Sequence, residues 1–138
     1  MKAMGIDFGL ARIGIALSDE TKFLANPYLT YKRKGSEQDL LFFSNLIKEK
    51  CVDEVVCGLP YNMQGEEQAI AQKTREFIEL LKPMVPETIS FTFVDERLSS
   101  SIAEDLLKET EKDWKKRKEK LDSVAASIIL QDYLDIRR

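Results

Sequence analysis

The 138-residue chain contains no histidine. That absence excludes Ser–His and Cys–His nucleophilic sites, histidine general bases and histidine-containing zinc sites. Only two cysteines are present, too few for a zinc site made of cysteines alone. We expect Cys51 and Cys57 to fill small spaces in the core of a protein from a reducing compartment. Any catalysis must then rest on carboxylates, lysine, arginine, hydroxyls or a bound hard cation.

Long apolar runs are also missing. No stretch is long enough to cross a bilayer, and the sequence after Met1 passes directly into a strand pattern rather than into the apolar segment of a signal peptide. We therefore expect a cytoplasmic protein with no membrane partner. A chain that is 43% hydrophobic and 33% charged is typical of a folded domain, and we expect residues 1–138 to form a single one.

Net positive charge is absent, since the chain carries a formal charge of −3. That balance argues against a protein that coats nucleic acid nonspecifically. Residues 112–120 nevertheless hold six of the 21 basic side chains, and residues 32–34 form a second cluster. Each cluster is either a solvated loop or a phosphate-contacting segment, and the ring of Trp114 would suit stacking on an unpaired base. The candidates for nucleic-acid contacts in the first cluster are Lys115, Lys116, Arg117 and Lys118.

Period-two alternation and short apolar runs predict five strands. They cover residues 2–8, 12–18, 23–32, 54–58 and 89–94. The first two form a hairpin through the turn at 9–11, and Pro27 favours an edge position for the third. Helical spacing predicts four helices, which begin at a capping box in residues 36–39, after Gly65, near Ser101 and near Lys120. This order of elements predicts a mixed α/β sheet with helices on its faces.

Two acids follow predicted parallel strands. In such sheets ligands bind beyond the carboxyl ends of the strands, where Asp7 and Glu96 both lie. Taken singly, Asp7 is equally well a turn-forming residue near Gly9, and Glu96 a surface carboxylate.

A third acid, Asp122, lies on an inward-facing helical stripe. The residues that share this stripe are Ala126, Ile129 and Tyr133. An ionised carboxylate there is costly unless something compensates its charge. An ion pair with Arg12 or Arg97 is one explanation, and a metal site shared with Asp7 and Glu96 is the other.

Three converging carboxylates suit hydrolysis of a phosphodiester. Two hard cations about 4 Å apart activate a water molecule and stabilise the leaving oxygen in such reactions. We therefore expect Mg²⁺ or Mn²⁺ as the cofactor, with Arg12 and Arg97 as phosphate clamps. Glycines at 5, 9 and 14 would let the hairpin backbone come close to the metals or to a phosphate.

With these residues in view, the sequence resembles the YqgF/RuvX family of RNase H-like nucleases, which are related in fold to the RuvC Holliday junction resolvases. Four segments carry the resemblance, in family order and over nearly the whole chain. They are Gly5-Ile6-Asp7-Phe8-Gly9 with Arg12-Ile13-Gly14-Ile15-Ala16, Gly58-Leu59-Pro60-Tyr61-Asn62 with Gly65, Val94-Asp95-Glu96-Arg97-Leu98-Ser99, and Leu121-Asp122-Ser123-Val124-Ala125-Ala126.

The resemblance implies an RNase H-like fold with a five-stranded mixed sheet in the order 3-2-1-4-5 and helices on both faces. It assigns metal-binding or catalytic roles to Asp7, Glu96 and Asp122. The accessory positions are Gly9, Asn62 and Asp95. One departure is that the wider superfamily often places an acid at the end of the fourth strand, where this chain has residues 58–60, Gly-Leu-Pro.

Three functions remain open from the sequence. The first is a metal-dependent nuclease that processes the 5′ end of pre-16S rRNA, with structured RNA and a ribosomal particle as partners. The second is a Holliday junction resolvase, whose two symmetric cuts require a dimer. The third is a non-catalytic RNA-binding module whose acids pair with Arg12 and Arg97. We expect structured RNA rather than a DNA junction as the substrate, and a monomer or weak homodimer.

Overall fold

The computed structural model describes residues 1–59, 69–95 and 99–137. The alternating and apolar segments form five strands, which are β1 Lys2–Phe8, β2 Arg12–Ser18, β3 Ala25–Lys32, β4 Val52–Leu59 and β5 Ser90–Asp95. The segments of helical period form α1 Ser36–Glu49, α2 Ala69–Leu81, α3 Ser99–Thr110 and α4 Trp114–Arg137. A short 3-10 helix at Lys82–Met84, which contains Pro83, follows α2.

The strands form one sheet in the order β3-β2-β1-β4-β5. β2 pairs antiparallel with both β1 and β3, whereas β4 pairs parallel with both β1 and β5. The predicted mixed sheet and its strand order are confirmed, as is the edge position of the strand that contains Pro27. Because β1, β4 and β5 run in the same direction, their carboxyl ends meet at one edge of the sheet, which carries Asp7 and Asp95.

Helices cover both faces of the sheet, as predicted. On one face the large side chains of β1, such as Ile6 and Phe8, pack with residues of α1 and α2, among them Phe43 and Ile78. On the other face small strand residues pack against α4. This second cluster consists of Ala3, Ala16, Val56, Ala126, Ile129, Leu130 and Leu134. Small side chains let α4 approach the sheet closely, and this close approach positions the candidate site.

The predicted capping box at the start of α1 is wrong. The N-cap is Gly35, at φ 134°, and no side chain caps the helix. Asp39 instead turns inward, is fully buried, and accepts three hydrogen bonds. Their donors are Tyr31 Oη at 2.8 Å, Arg33 Nε at 2.9 Å and Lys34 N at 2.9 Å. The basic cluster at 32–34 thus contributes Arg33 to an internal ion pair rather than to a solvated loop.

The fourth helix begins six residues before its predicted start near Lys120. Asp113 caps it, since its Oδ1 accepts a hydrogen bond from the backbone N–H of Lys115 at 2.9 Å. The basic segment is therefore the first part of α4 and not a loop.

The two cysteines have different environments. Cys57 is buried in β4, as predicted, whereas Cys51 is exposed in the turn before β4 at φ 56°. The prediction of a core position for Cys51 is wrong because the turn points this residue outward. Within the described residues, no helix is both long and apolar enough to span a membrane.

Candidate active site

Asp7 is held by the hairpin of β1 and β2. It alternates with Ala3 and Gly5, so it projects from the face of the sheet that α4 covers, and it is half-buried. Its partner across the hairpin is Gly14. A residue without a side chain therefore lies beside Asp7 on the face that α4 approaches.

Helix α4 brings the backbone of Asp122 into contact with Gly14. A Cβ atom built on Gly14 would overlap the carbonyl group of Asp122 and would lie 2.9 Å from its Cβ. One helical turn further on, a Cβ built on Gly5 would lie 2.7 Å from the carbonyl oxygen of Ala126. Two backbone contacts thus dock α4 on the hairpin. Asp7 and Asp122 are both immediate neighbours of Gly14.

Arg12 forms an ion pair with Asp122. Its Nε lies 2.8 Å from Oδ2 of the carboxylate, and the side chains are 42% and 21% exposed, respectively. The sequence left a choice between an Arg12 or Arg97 partner and a metal for Asp122, and the structure shows the pair with Arg12. Oδ1 of Asp122 accepts no hydrogen bond from the described residues. Asp122 is thus a partly exposed carboxylate, and an ion pair in such a position contributes little to stability.

Close packing at Gly9 and hydrogen bonds from Arg33 hold the turn between β1 and β2 in place. A Cβ on Gly9 would lie 2.6 Å from the carbonyl oxygen of Arg12, so the turn requires glycine at this point. Arg33 donates its backbone N–H to Ala11 O at 3.0 Å and Nη1 to Leu10 O at 3.4 Å. Its guanidinium also lies 4.8 Å from the ring centroid of Phe8.

Asp39 in turn holds Arg33. Burial alone would raise the pKa of Asp39, but donation from Lys34 N–H, Arg33 and Tyr31 outweighs it and holds the pKa below its usual value of 3.8. Burial, together with the hydrogen bond to this carboxylate, raises the pKa of Tyr31 to about 12. Asp39 therefore remains ionised and positions the hairpin turn beside Asp7. The sequence analysis missed this role because it assigned the residue to a capping box.

The basic segment divides between two surfaces. Lys115 and Lys118, three residues apart on α4, line a cleft of about 320 Å³ together with Arg12 and Trp114. Arg117 lines the groove between α3 and α4, Lys118 borders both that groove and the cleft, and Lys116 is exposed. Two of the four predicted basic residues thus share a cleft with Arg12, which contacts Asp122.

Several predicted site residues lie outside the described part of the chain, namely Asn62, Glu96 and Arg97. Asp95 ends β5 beside Leu59 and is exposed at the same edge of the sheet as Asp7. Among residues 1–59, 69–95 and 99–137, no three cysteine or acidic side chains are grouped closely enough to hold a metal ion. The two acids that neighbour Gly14 supply oxygen donors, which fit a hard cation such as Mg²⁺ or Mn²⁺.

Comparison with known proteins identifies similar sequences over the full length. The family model described as "RuvX: Holliday junction resolvase" matches residues 1–136. A protein of Sulfurihydrogenibium sp. (strain YO3AOP1) described as "Putative pre-16S rRNA nuclease" is 43% identical over 136 residues, covering 97% of this chain and 90% of that protein. The protein of Syntrophomonas wolfei with the same description is 43% identical over 135 residues, covering 98% of this chain and 94% of its own length.

Solved structures share the fold at low sequence identity. RuvC of T. thermophilus in complex with a Holliday junction substrate has a TM-score of 0.63 and 11% identity, covering 99% of this chain and 95% of that chain. The Fowlpox virus resolvase in complex with Holliday junction DNA has a TM-score of 0.60 and 14% identity, covering 99% of each chain. The fold is therefore the RNase H-like fold that the sequence predicted.

Proposed function

The chain belongs to the RuvX family, and from this premise we propose that it is a nuclease that hydrolyses phosphodiester bonds at the site around Asp7 and Asp122. The observation that carries the proposal is the docking of α4 on Gly14, which makes two acids from opposite ends of the chain neighbours of one residue. The ion pair with Arg12 adds a cation that can donate to a phosphate oxygen.

The substrate that we propose is the 5′ end of pre-16S rRNA. Relatives that are 43% identical over nearly the whole chain carry the description of a pre-16S rRNA nuclease. The solved resolvases bound to DNA junctions are only 11% and 14% identical, so they support the fold alone. The proposal therefore places this chain in ribosome assembly, acting on structured RNA.

We assign the metal-binding positions to Asp7, Glu96 and Asp122. Mg²⁺ or Mn²⁺ bound there would activate a water molecule and stabilise the leaving oxygen. Asp7 lies in β1 and Asp122 in α4, on either side of Gly14, and Glu96 follows β5 directly in the sequence. Arg12 holds Asp122 in place before substrate arrives and is near enough to bind a phosphate oxygen of the incoming strand.

The test is cleavage of a pre-16S rRNA fragment by the wild-type protein and by Asp7→Asn. The substitution keeps the size of the side chain but removes its charge, and we expect the rate to fall about 100-fold or more. Glu49→Gln is the matched control, since Glu49 is exposed at the end of α1, at the opposite edge of the sheet. Equal cleavage by the wild type and Asp7→Asn would contradict the proposal.

A second candidate is resolution of four-way DNA junctions, which the description of the matching family model favours. The same acids would act, but two symmetric cuts need two sites and hence a dimer. Sedimentation of the protein with a synthetic junction separates the two candidates. A monomer on the junction, with rRNA cleavage intact, would exclude the second.

A further inference from the structure

A basic cleft lies beside the candidate active site. Residues from β2, β3 and the start of α4 border an open cleft of about 320 Å³, and they are Arg12, Thr30, Trp114, Lys115, Lys118 and Glu119. The lining therefore contains three cationic side chains and one carboxylate, which gives the cleft a net positive charge. The cleft is formed because α4 begins at Trp114, and a loop over 112–120 would not place Trp114, Lys115 and Lys118 on one surface.

The cleft and Asp7 lie along one row of paired residues in the sheet. Asp7 of β1 pairs with Gly14 of β2, and Gly14 pairs with Thr30 of β3. Because paired residues point to the same face, all three positions lie under α4, and two interstrand spacings separate Asp7 from Thr30 by about 10 Å. Arg12 belongs to both places, since it lines the cleft and contacts Asp122.

The side chains in the cleft have the chemistry of a nucleotide site. Trp114 is 63% exposed, and Lys115 Nζ lies 5.8 Å from its ring centroid. A large exposed aromatic ring bordered by lysines binds an unpaired base by stacking and its phosphate by charge. Thr30 Oγ1 is buried without a hydrogen-bond partner among the described residues, so an unsatisfied polar atom lies at the wall of the cleft.

The start of α4 also concentrates positive charge. The first turn contains no acidic residue, and Lys115 lies in it, at the end where the helix dipole is already positive. The carboxylate of the Asp113 cap compensates part of this charge. The remaining positive charge of the lysines favours an anion bound at the cleft, which is a second reason to expect a phosphate there.

We propose that this cleft holds one unpaired nucleotide next to the phosphodiester that is cut. Trp114 stacks on the base, and Lys115 and Lys118 bind the phosphate of this nucleotide. Arg12, which lines the cleft and contacts Asp122, lies between this phosphate and the phosphate that is cut. This inference rests on the proposed nuclease function and narrows its substrate. The strand must be unpaired on one side of the cut, because a base stacked within a duplex cannot reach the ring of Trp114.

The chain provides its own reporter for this test, since Trp114 is its only tryptophan. Intrinsic fluorescence is recorded while a single-stranded RNA octamer, or the same octamer in a duplex, is added in EDTA, so that metal-dependent cleavage is suppressed. We expect saturable quenching by the single strand and about tenfold weaker binding of the duplex. Quenching that is absent, or equal for the two RNAs, would overturn the proposal.

Variants locate the binding. With a dye-labelled octamer, Trp114→Ala should weaken binding about tenfold and Trp114→Phe much less, because a phenyl ring still stacks. The double substitution of Lys115 and Lys118 by Ala should weaken binding and lower its salt dependence. Lys48→Ala is the control, an exposed lysine of α1 at the opposite edge of the sheet. An equal loss in the Lys48 variant would show nonspecific attraction only and would overturn the cleft as the site.

The same proteins separate the two proposals. If the wild type quenches with RNA but does not cut it when Mg²⁺ is added, the nuclease proposal fails while the cleft still binds a nucleotide. If the wild type cuts and Trp114→Ala cuts single-stranded RNA with the same kcat/KM, the cleft proposal fails while the nuclease proposal stands.

Discussion

The ion pair between Arg12 and Asp122 is where a structural role of the acids can be distinguished from a functional one. The side chains are 42% and 21% exposed, and ion pairs in such positions contribute only about 0–1 kcal/mol to stability. Arg12 also lines the basic cleft, where a nucleic-acid ligand would compete for it. Because the ion pair adds so little stability, stability alone does not explain why an acid occupies this position on α4, next to Gly14.

Asp122→Asn should therefore separate the two roles. We expect the free energy of unfolding, measured by urea denaturation, to change by less than about 1 kcal/mol, because only an exposed pair is weakened. We expect RNA cleavage to fall about 100-fold or more, because a proposed metal ligand is lost. Calorimetric titration with Mn²⁺ should show weaker binding.

The opposite pattern, a large loss of stability with cleavage and Mn²⁺ binding unchanged, would favour the non-catalytic binding module. Arg12→Gln is the companion variant. It removes the same ion pair but keeps the carboxylate, so it should retain Mn²⁺ binding.

At the scale of elements, the contact between α4 and the hairpin determines the site. Gly14 and Gly5 both pack against backbone or Cβ atoms of α4, at positions one helical turn apart. Only Gly14 also borders Asp7 and Asp122. The two glycines therefore form a pair for comparison, since both contact α4 but only one of them borders both acids.

Gly14→Ala should displace the segment of α4 around Asp122, because the new methyl group overlaps its carbonyl. We expect a loss of about 1–3 kcal/mol in stability, measured by urea denaturation, and a far larger loss of cleavage. Gly5→Ala meets Ala126 O at 2.7 Å and Leu130 Cβ at 2.8 Å, a milder overlap than the one at Gly14, so it should cost less stability. Cleavage that fell in both variants only in proportion to the stability lost would count against a site at Gly14.

The strands and the sheet order could be predicted from the sequence. Alternation of large and small residues defines β1 and β2 to the residue, and the resemblance supplied the order of the strands. The start of α4 could not be predicted from periodicity, because residues 114–120 carry charges on every side and show no apolar stripe. Asp113 was the available signal, an N-cap residue directly before the helix.

The site was predictable in part for the same physical reason. Asp7 and Asp122 could be recognised because a strand end and a helical stripe are both readable from spacing. Thr30 could not, because its place depends on the register between β2 and β3, which a bulge at Ile15 and Ala16 shifts. Asp39 was misassigned because Ser36 and Asp39 have the spacing of a cap, while Tyr31 and Arg33 draw the carboxylate inward.

At the scale of the whole molecule, two buried carboxylates fasten opposite ends of the sheet. Asp39 joins β3 to α1 near the candidate site. At the far end Glu54, at the start of β4, accepts hydrogen bonds from Lys22, Tyr133 and Arg137. Burial would raise the pKa of Glu54, but donation from Arg137, Lys22 and Tyr133 holds it below its usual value of 4.5.

These two acids predict loss of stability in acid. Since the pKa of each is lower in the folded protein than in the unfolded chain, their contribution is present above the unfolded values of 3.8 and 4.5 and is lost as pH falls through the folded values. The free energy of unfolding should fall between about pH 5 and about pH 3.

The check is thermal or urea denaturation across that range for the wild type and for the double variant Asp39→Asn with Glu54→Gln. The variant should be less stable at pH 7, by about 3 kcal/mol for each buried acid that is replaced, and its stability should depend less on pH. An equally steep pH dependence in the variant would show that other groups control acid unfolding.

The contact between the backbones of Asp122 and Gly14 bears on how turnover depends on temperature. The helix backbone at Asp122 is packed against the strand backbone at Gly14, so the docking of α4 sets the separation of the Asp7 and Asp122 backbones until that docking is lost. Turnover should then keep rising with temperature up to the point where α4 leaves the sheet, and end there abruptly.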